Sequence, residues 1–337
     1  MKKIFLILSL IAGLISCQNF DLKHPDFEFT SGYFPYQYPV RTLVLGDYIY
    51  DNTNDNAHKF VVSVAMGGVY SNTKDRSFNI AVDNTLCNNI LFGAGGDQIK
   101  ALPSNYYTLS SSSKIVIPAG KMNGGVEVQL TDAFFADPLA VKNTYVVPIR
   151  IKSSADVDTV LSGSSSISNP DPRVSSQWNV TPKNFTMFAV KYINEYHGNY
   201  FHYGSNNVKD ATNTVVETTA YSTTYVEQNT VAKLNTTGRY QVSLSTFFNS
   251  TKMTGALELL LTFSGTKCTV SAPAGSAYTI TGTGDFLAKK FSWGDKERDG
   301  ITLTYKVSKS PYTYEATETL VVRDRAVIME IYTPVVF

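Results

Sequence analysis

Along most of the chain, apolar residues recur at every second position. The segments "FVVSVAM" (60–66), "SFNIAVD" (77–83), "KIVIPAG" (114–120), "GVEVQLTD" (125–132) and "YVVPIRIKS" (145–153) alternate or form short β-branched runs. The second half repeats the habit in "YQVSLSTFF" (240–248), "ALELLLTFS" (256–264), "AYTITGTG" (277–284), "ITLTYKVS" (301–308), "ATETLVVRD" (316–324) and "AVIMEIYT" (326–333). A period of two puts alternate side chains on opposite faces and predicts strands. Gly67-Gly68, Asn123-Gly124-Gly125 and Asp299-Gly300 supply turns between them. The pattern predicts an all-β protein. Residues 39–161 read as an immunoglobulin-like β-sandwich. Residues 178–337 read as an antiparallel β-barrel, either lipocalin-like or a jelly roll. The serine-rich segment 162–177, in which Pro170 and Pro172 interrupt any strand, reads as the linker between them. One stretch departs from the rule: Leu86, Ile90 and Leu91 in segment 84–103 are spaced as on a short helix.

The N-terminus changes the picture. Lys2 and Lys3 precede an apolar run from Ile4 to Ile15, the layout of a signal peptide over residues 1–16. The run is shorter than the ~20 residues of a membrane-spanning helix. It ends in Leu14-Ile15-Ser16-Cys17, which resembles the lipobox of bacterial lipoproteins. That resemblance implies cleavage before Cys17, acylation of Cys17, and a lipidated tether over residues 17–38. Gln18 rather than Asp after the cysteine implies the outer membrane. Losing Lys2 and Lys3 takes the formal charge from +1 to −1. With 17% charged residues, the chain has no basic patch suited to nucleic acid. Cys87 and Cys268 remain, in separate predicted domains, and read as buried free thiols.

No constellation specifies a reaction. His197 and His202 are an odd number of residues apart, so on one strand they face opposite ways and share no metal. "YDNTNDNAH" (50–58) lacks the central glycine and terminal glutamate of a calcium loop and reads as an exposed connection. "FGAGGDQ" (92–98) lacks the full dinucleotide fingerprint. The carboxylates are scattered, and no nucleophile elbow is present. The chain therefore reads as a non-enzyme without cofactor or metal. Aromatic residues, 21 Tyr and 19 Phe against 2 Trp, carry more information. Tyr196, Tyr200 and Tyr203 lie among glycines, and Trp293 stands near Asp295 and Arg298. Rings beside polar side chains can hold a sugar's C–H face and its hydroxyls, so these six residues form the candidate glycan site. The opposing reading places each ring in the barrel core.

With these features in place, the chain resembles the two-domain surface lipoproteins of Bacteroidetes polysaccharide-utilisation loci, which pair an adhesin-like N-terminal domain with a β-barrel-like domain. The resemblance rests on "MGGVYSNTKDRSFNIAVDNTL" (66–86), "LPSNYYTLSSSSKIVIPAGKMNGGVEVQLTDAF" (102–134) and "NTYVVPIRIKS" (143–153). In the second half it rests on "VKYINEYHGNYFHYG" (190–204), "FSWGDKERDGITLTYKV" (291–307) and "ETLVVRDRAVIMEIY" (318–332). It implies a cell-surface lipoprotein that captures a glycan or glycoprotein beside transporter-complex lipoproteins. It supplies no site residues. Only Asp21, Asp26 and Glu28 follow Cys17, a weaker acidic cluster than surface export usually shows, so a periplasmic face stays open. The alternatives are an adhesin or assembly component that binds protein, and an unrecognised glycosidase.

Overall fold

The computed structural model describes residues 29–337. Cys17, the signal peptide and most of the tether lie outside them. Strands cover 52% of the described residues and helix 7%, so the all-β expectation holds.

The sandwich strands, in chain order, are β1 (Ser31–Tyr33), β2 (Pro39–Val44), β3 (Lys59–Gly67), β4 (Arg76–Val82), β5 (Ile90–Leu91), β6 (Lys100–Ala101), β7 (Tyr107–Leu109), β8 (Lys114–Ile117), β9 (Asn123–Leu130), β10 (Tyr145–Ser153), β11 (Thr159–Val160) and β12 (Phe185–Ile193). One sheet runs β11-β1-β3-β9-β7. The facing sheet includes β2-β12-β10-β4-β8, with β6 beside β10. Alternation explains the packing. Phe60, Val62, Val64 and Met66 of β3 and Val126, Val128 and Leu130 of β9 point into the core, where they meet Tyr145, Val147, Ile149 and Ile151 of β10. Strand β10 reads as a continuous apolar run because both its faces are covered. Val146 points the other way, into a second core with Leu86, Cys87, Ile90, Ile99, Phe185, Met187 and Tyr332.

The barrel strands are β13 (Gly198–Lys209), β14 (Val215–Tyr221), β15 (Thr230–Gly238), β16 (Gln241–Phe247), β17 (Ala256–Ser264), β18 (Lys267–Ser271), β19 (Thr279–Trp293), β20 (Lys296–Lys309) and β21 (Tyr312–Asp324). From β15 to β21 each strand pairs with the next, and β13 pairs with both β15 and β21. This closes an eight-stranded antiparallel barrel, the up-and-down solution rather than the jelly roll. The outer half of β13 pairs with β14 instead of β15. Leu244, Leu259, Leu261, Ile301, Leu303 and Val307 fill the interior.

The chain then returns to the sandwich. β22 (Glu330–Ile331) pairs with β2, and β23 (Val335–Val336) pairs with β5. The barrel is thus inserted into the sandwich, and this corrects the division at 162–177. Strand β12 lies between β10 and β2, so residues 178–193 and 330–337 belong to the sandwich. Segment 162–177 packs on the same body. Arg173 donates to the carbonyls of Leu86 and Asn88 at 3.0 and 2.5 Å, and Trp178 Nε1 donates to Asp171 O at 2.7 Å.

The true junction is residues 194–197 and 325–329, and a polar clamp holds it. Buried Arg325 donates to four carbonyls: His197 (2.8 Å), Asp47 (2.6 Å), Leu45 (3.0 Å) and Asn194 (2.6 Å). Gly46 permits the close approach, since a Cβ there would lie 2.5 Å from Cβ of Glu195. Arg239 of the barrel lies over the Phe135 ring at 4.8 Å and 3.0 Å from His58 Nε2.

Two smaller expectations need correction or refinement. Segment 84–103 forms no α-helix, only a 3-10 turn at Asn84–Cys87 and two short strands. Asn89 at φ 52° and Gly95 at φ 72° break the helical path. The apolar spacing instead anchors a loop to the outer face of the sheet. In segment 50–58, the carboxylate of Asp55 is buried and accepts from Arg41 and from Val44 N, so this connection is pinned rather than free. Cys87 and Cys268 are free and buried in separate cores, and burial pushes both thiols up to about 12.

Candidate functional site

The six aromatic and polar candidates do not share a surface. Tyr196 and Tyr200 are core residues, 3% and 0% exposed. Tyr196 stacks on Phe263 at 3.5 Å, and Tyr200 donates its hydroxyl to the Tyr196 carbonyl at 2.8 Å. Burial raises the pKa of both phenols well above the usual value. Neither ring can meet an external ligand, and the core reading holds for these two. The physical reason is parity. Tyr200, His202, Asn206 and Val208 are all buried, so this parity of β13 faces inward, whereas Tyr203, Ser205 and Asn207 face out.

Trp293 is outside the barrel but pinned. Its N–H donates to Val322 O at 2.9 Å, its ring meets Phe201 edge-to-face at 5.3 Å, and the Arg298 guanidinium lies 4.0 Å from its centroid. Asp295, at φ 56°, occupies the turn that joins β19 to β20 and is exposed. Tyr203 is half-buried and interacts with Thr319, and burial raises its hydroxyl pKa. Of the six candidates, then, Tyr203, Trp293, Asp295 and Arg298 share the outer side of the barrel, and the two core tyrosines do not.

That same outer side carries a groove of about 380 Å³. Strand register builds it in rows across four strands. In one row Asn207 pairs with Glu315, Glu315 with Lys306, and Lys306 with Thr281. In the next, Ser205 pairs with Thr317, Thr317 with Thr304, and Thr304 with Thr283. Tyr203, Thr319 and Thr302 form the row beyond. From Phe201 to Asn207 the strip is about 20 Å long at strand rise. Glu315 sits 2.7 Å from Lys209 and 3.9 Å from Lys306, so Lys306 is loosely held. The groove offers hydroxyl, carboxamide, ammonium and carboxylate groups in one wall, with aromatic side chains at one end.

Sequence reading missed Ser205, Asn207, Thr304, Lys306, Glu315 and Thr317. Threonine alternation there is the ordinary signature of a strand, and only cross-strand register puts the six together. The detectable signal was a set of outward positions on β13, β20 and β21 that are all polar.

A second polar group is enclosed in the lumen. Glu318, 1% exposed, accepts from Tyr221 at 2.6 Å and from Tyr305 at 3.0 Å. His202 Nε2 lies 3.0 Å from Glu318 Oε2, close but not aligned as a hydrogen bond. Burial and the glutamate push the Tyr221 and Tyr305 hydroxyls far above their usual pKa. The outer end of the barrel beside it is crossed by the β16–β17 connection, which Glu217 holds by accepting from Ser250 Oγ, Thr251 N and Lys252 N. Among the described residues, no three His, Cys, Asp or Glu side chains are grouped to hold a metal.

Two family models match the chain. One, a domain of unknown function, DUF5627, covers residues 195–326, and one described as an N-terminal domain covers residues 27–158. These spans agree with the barrel and with most of the sandwich. A Bacteroides ovatus protein of unknown function is 32% identical, with 93% of this chain and 100% of that one covered and a TM-score of 0.86. A Bacteroides ovatus multidomain protein including DUF1735 is 12% identical over 88% of this chain and 94% of that one, at a TM-score of 0.42. A Bacteroides ovatus "putative carbohydrate binding protein" is 12% identical over 87% and 98%, at a TM-score of 0.30. No curated protein matches the chain.

Proposed function

The chain belongs to the family of the Bacteroides ovatus protein of unknown function, and from that premise we propose that it is a non-catalytic glycan-binding lipoprotein. In this reading Cys17 carries the lipid anchor, the outer membrane is the platform, and the barrel groove holds a polysaccharide or glycoprotein glycan for an associated uptake system. Delivery to transporter-complex lipoproteins on the cell surface is part of the same proposal.

The observation that carries the reading is the groove itself. Glycans present dense hydroxyls, each a donor and an acceptor. A wall of Ser205, Asn207, Thr304, Thr317, Lys306 and Glu315 matches that chemistry along the strip. Rigid strands set the spacing, so little ordering is required on binding. The tether expected over residues 17–38 is cut short at its end, because Ser31–Tyr33 already pairs as β1 in the sandwich and Phe34 lies in its core.

A glycan array probed with the soluble protein from Gln18 tests the reading. Binding should be lost in Lys306→Ala/Glu315→Ala with the thermal transition retained, because both side chains lie on the outer face. Equal binding by that variant, or no glycan retained at all, would defeat the assignment. Measured turnover of a bound glycan would favour the glycosidase alternative. Changing Cys17 to Ala should remove acylation and membrane retention, and an unmodified Cys17 in the mature membrane protein would refute the anchor.

A further inference from the structure

A second polar pocket, on the sandwich and outside the proposed groove, has a volume of about 430 Å³, within the range of small-molecule sites. Four carboxamides line it: Asn84, Asn88, Asn89 and Gln98. Lys100 supplies the single charge in its wall, above the buried Cys87 and Ile99. None of the four side-chain amides is hydrogen-bonded to another group among the described residues.

The frame around these amides is rigid. Leu86, Cys87, Ile90 and Ile99 sink into the core beneath. Arg173 ties down the carbonyls of Leu86 and Asn88 and is itself held by Asp171 at 2.6 Å. Asn89 is kept at φ 52°, and its carbonyl accepts from Phe337 N at 3.0 Å. Across the pocket, Ile99 N donates to Ile90 O at 2.9 Å and Lys100 N to Thr144 O at 2.9 Å. The Thr144 hydroxyl beside this strand, on a residue 4% exposed, has no partner. The four carboxamides are exposed and not engaged by the protein, so each is free to meet a ligand from a loop whose backbone is held in place.

We propose that this pocket binds an uncharged polyhydroxylated molecule about the size of one pyranose ring. Each carboxamide presents two N–H donors and one carbonyl acceptor, the complement of vicinal hydroxyls that both donate and accept. The wall cannot neutralise an anion beyond what Lys100 alone provides, and it has no carboxylate for a cation. The site is separate from the barrel groove and stands whether or not that groove binds glycan.

Nitrogen-edited NMR of the soluble protein from Gln18 reads the carboxamides directly. D-glucose, D-galactose, N-acetyl-D-glucosamine and D-glucuronate are titrated in parallel. The expected result is that at least one neutral sugar shifts the side-chain NH2 signals of Asn88 and Gln98. Read on the side-chain NH2 signals of Asn84 and Asn89, Asn88→Ala/Gln98→Ala should weaken that sugar about tenfold, the scale of losing two modest hydrogen bonds, with core amide signals unmoved. Lys306→Ala should leave it unchanged. Three results would overturn the proposal: no neutral sugar shifting these signals, only D-glucuronate shifting them and Lys100→Gln abolishing the shift, or Asn84 and Asn89 side-chain NH2 signals that titrate in the double variant with undiminished affinity.

Discussion

His197 ties the stability of the junction to pH. It is 9% exposed, and its Nδ1 accepts from Thr236 N at 3.1 Å, while its own carbonyl accepts from Arg325. Burial lowers its pKa from 6.5 to about 4, with Lys233, Arg325 and Lys191 adding to the effect. A proton on Nδ1 would destroy the bond from Thr236 and place a buried charge beside cations. In the unfolded chain His197 takes up its proton near pH 6.5, whereas the folded chain resists until about 4. The unfolded state therefore binds more protons across that window, and stability falls as pH falls. The contribution is complete above about pH 6.5 and is gone below about pH 4. Its size is about 3 kcal/mol, at 1.36 kcal/mol per pKa unit. Carboxylates titrate in the lower half of this window, so the measurement is a difference. His197→Asn replaces Nδ1 with an amide oxygen that can accept from Thr236 N but does not titrate. Denaturant unfolding of both proteins at a series of pH values should show the native protein losing about 3 kcal/mol more than the variant between neutrality and pH 4. Parallel pH dependences, or an imidazole signal that titrates near 6.5 in the folded protein, would refute the reasoning.

Cleavage within 162–177 should leave two fragments that stay associated under native conditions, because β12 on the second fragment sits between β10 and β2 of the first; size-exclusion chromatography showing separate folded pieces would contradict the inserted topology. Arg325→Lys should cost about 2–3 kcal/mol, since one ammonium cannot satisfy the four carbonyls the guanidinium reaches, and an unchanged denaturation midpoint would count against the clamp. Glu318→Ala should cost about 3–5 kcal/mol by leaving His202, Tyr221 and Tyr305 without their shared partner in the lumen, to be checked by thermal unfolding; a shift no larger than a surface substitution would show the cluster to be hydrated. Trp293→Ala should lower the melting temperature through loss of its Val322 bond and its Phe201 and Arg298 contacts, yet leave groove binding within about twofold; a larger loss of glycan affinity at unchanged stability would return Trp293 to the binding surface.

Local pattern determined the class of this protein. Alternation in "FVVSVAM" or "ITLTYKVS" is a property of neighbouring residues, and it specifies a strand and its buried face wherever the strand ends up. The same locality allowed Cys87 and Cys268 to be read as buried thiols and the second half as a barrel. Tertiary structure decided everything that depends on which strand lies beside which. "NFTMFAVKYI" (184–193) carries no mark that it completes the sandwich, and "EIYTPVVF" (330–337) none that it crosses back from the barrel. Pairing energy comes from backbone groups that every residue possesses, so sequence distance does not encode the partner. The glycan candidates failed for the related reason of parity: Tyr196 and Tyr200 lie in the same glycine-rich stretch as Tyr203 but point inward. The barrel groove was invisible because its wall comes from β13, β19, β20 and β21, and a single strand's outward threonines mean nothing until register sets them side by side.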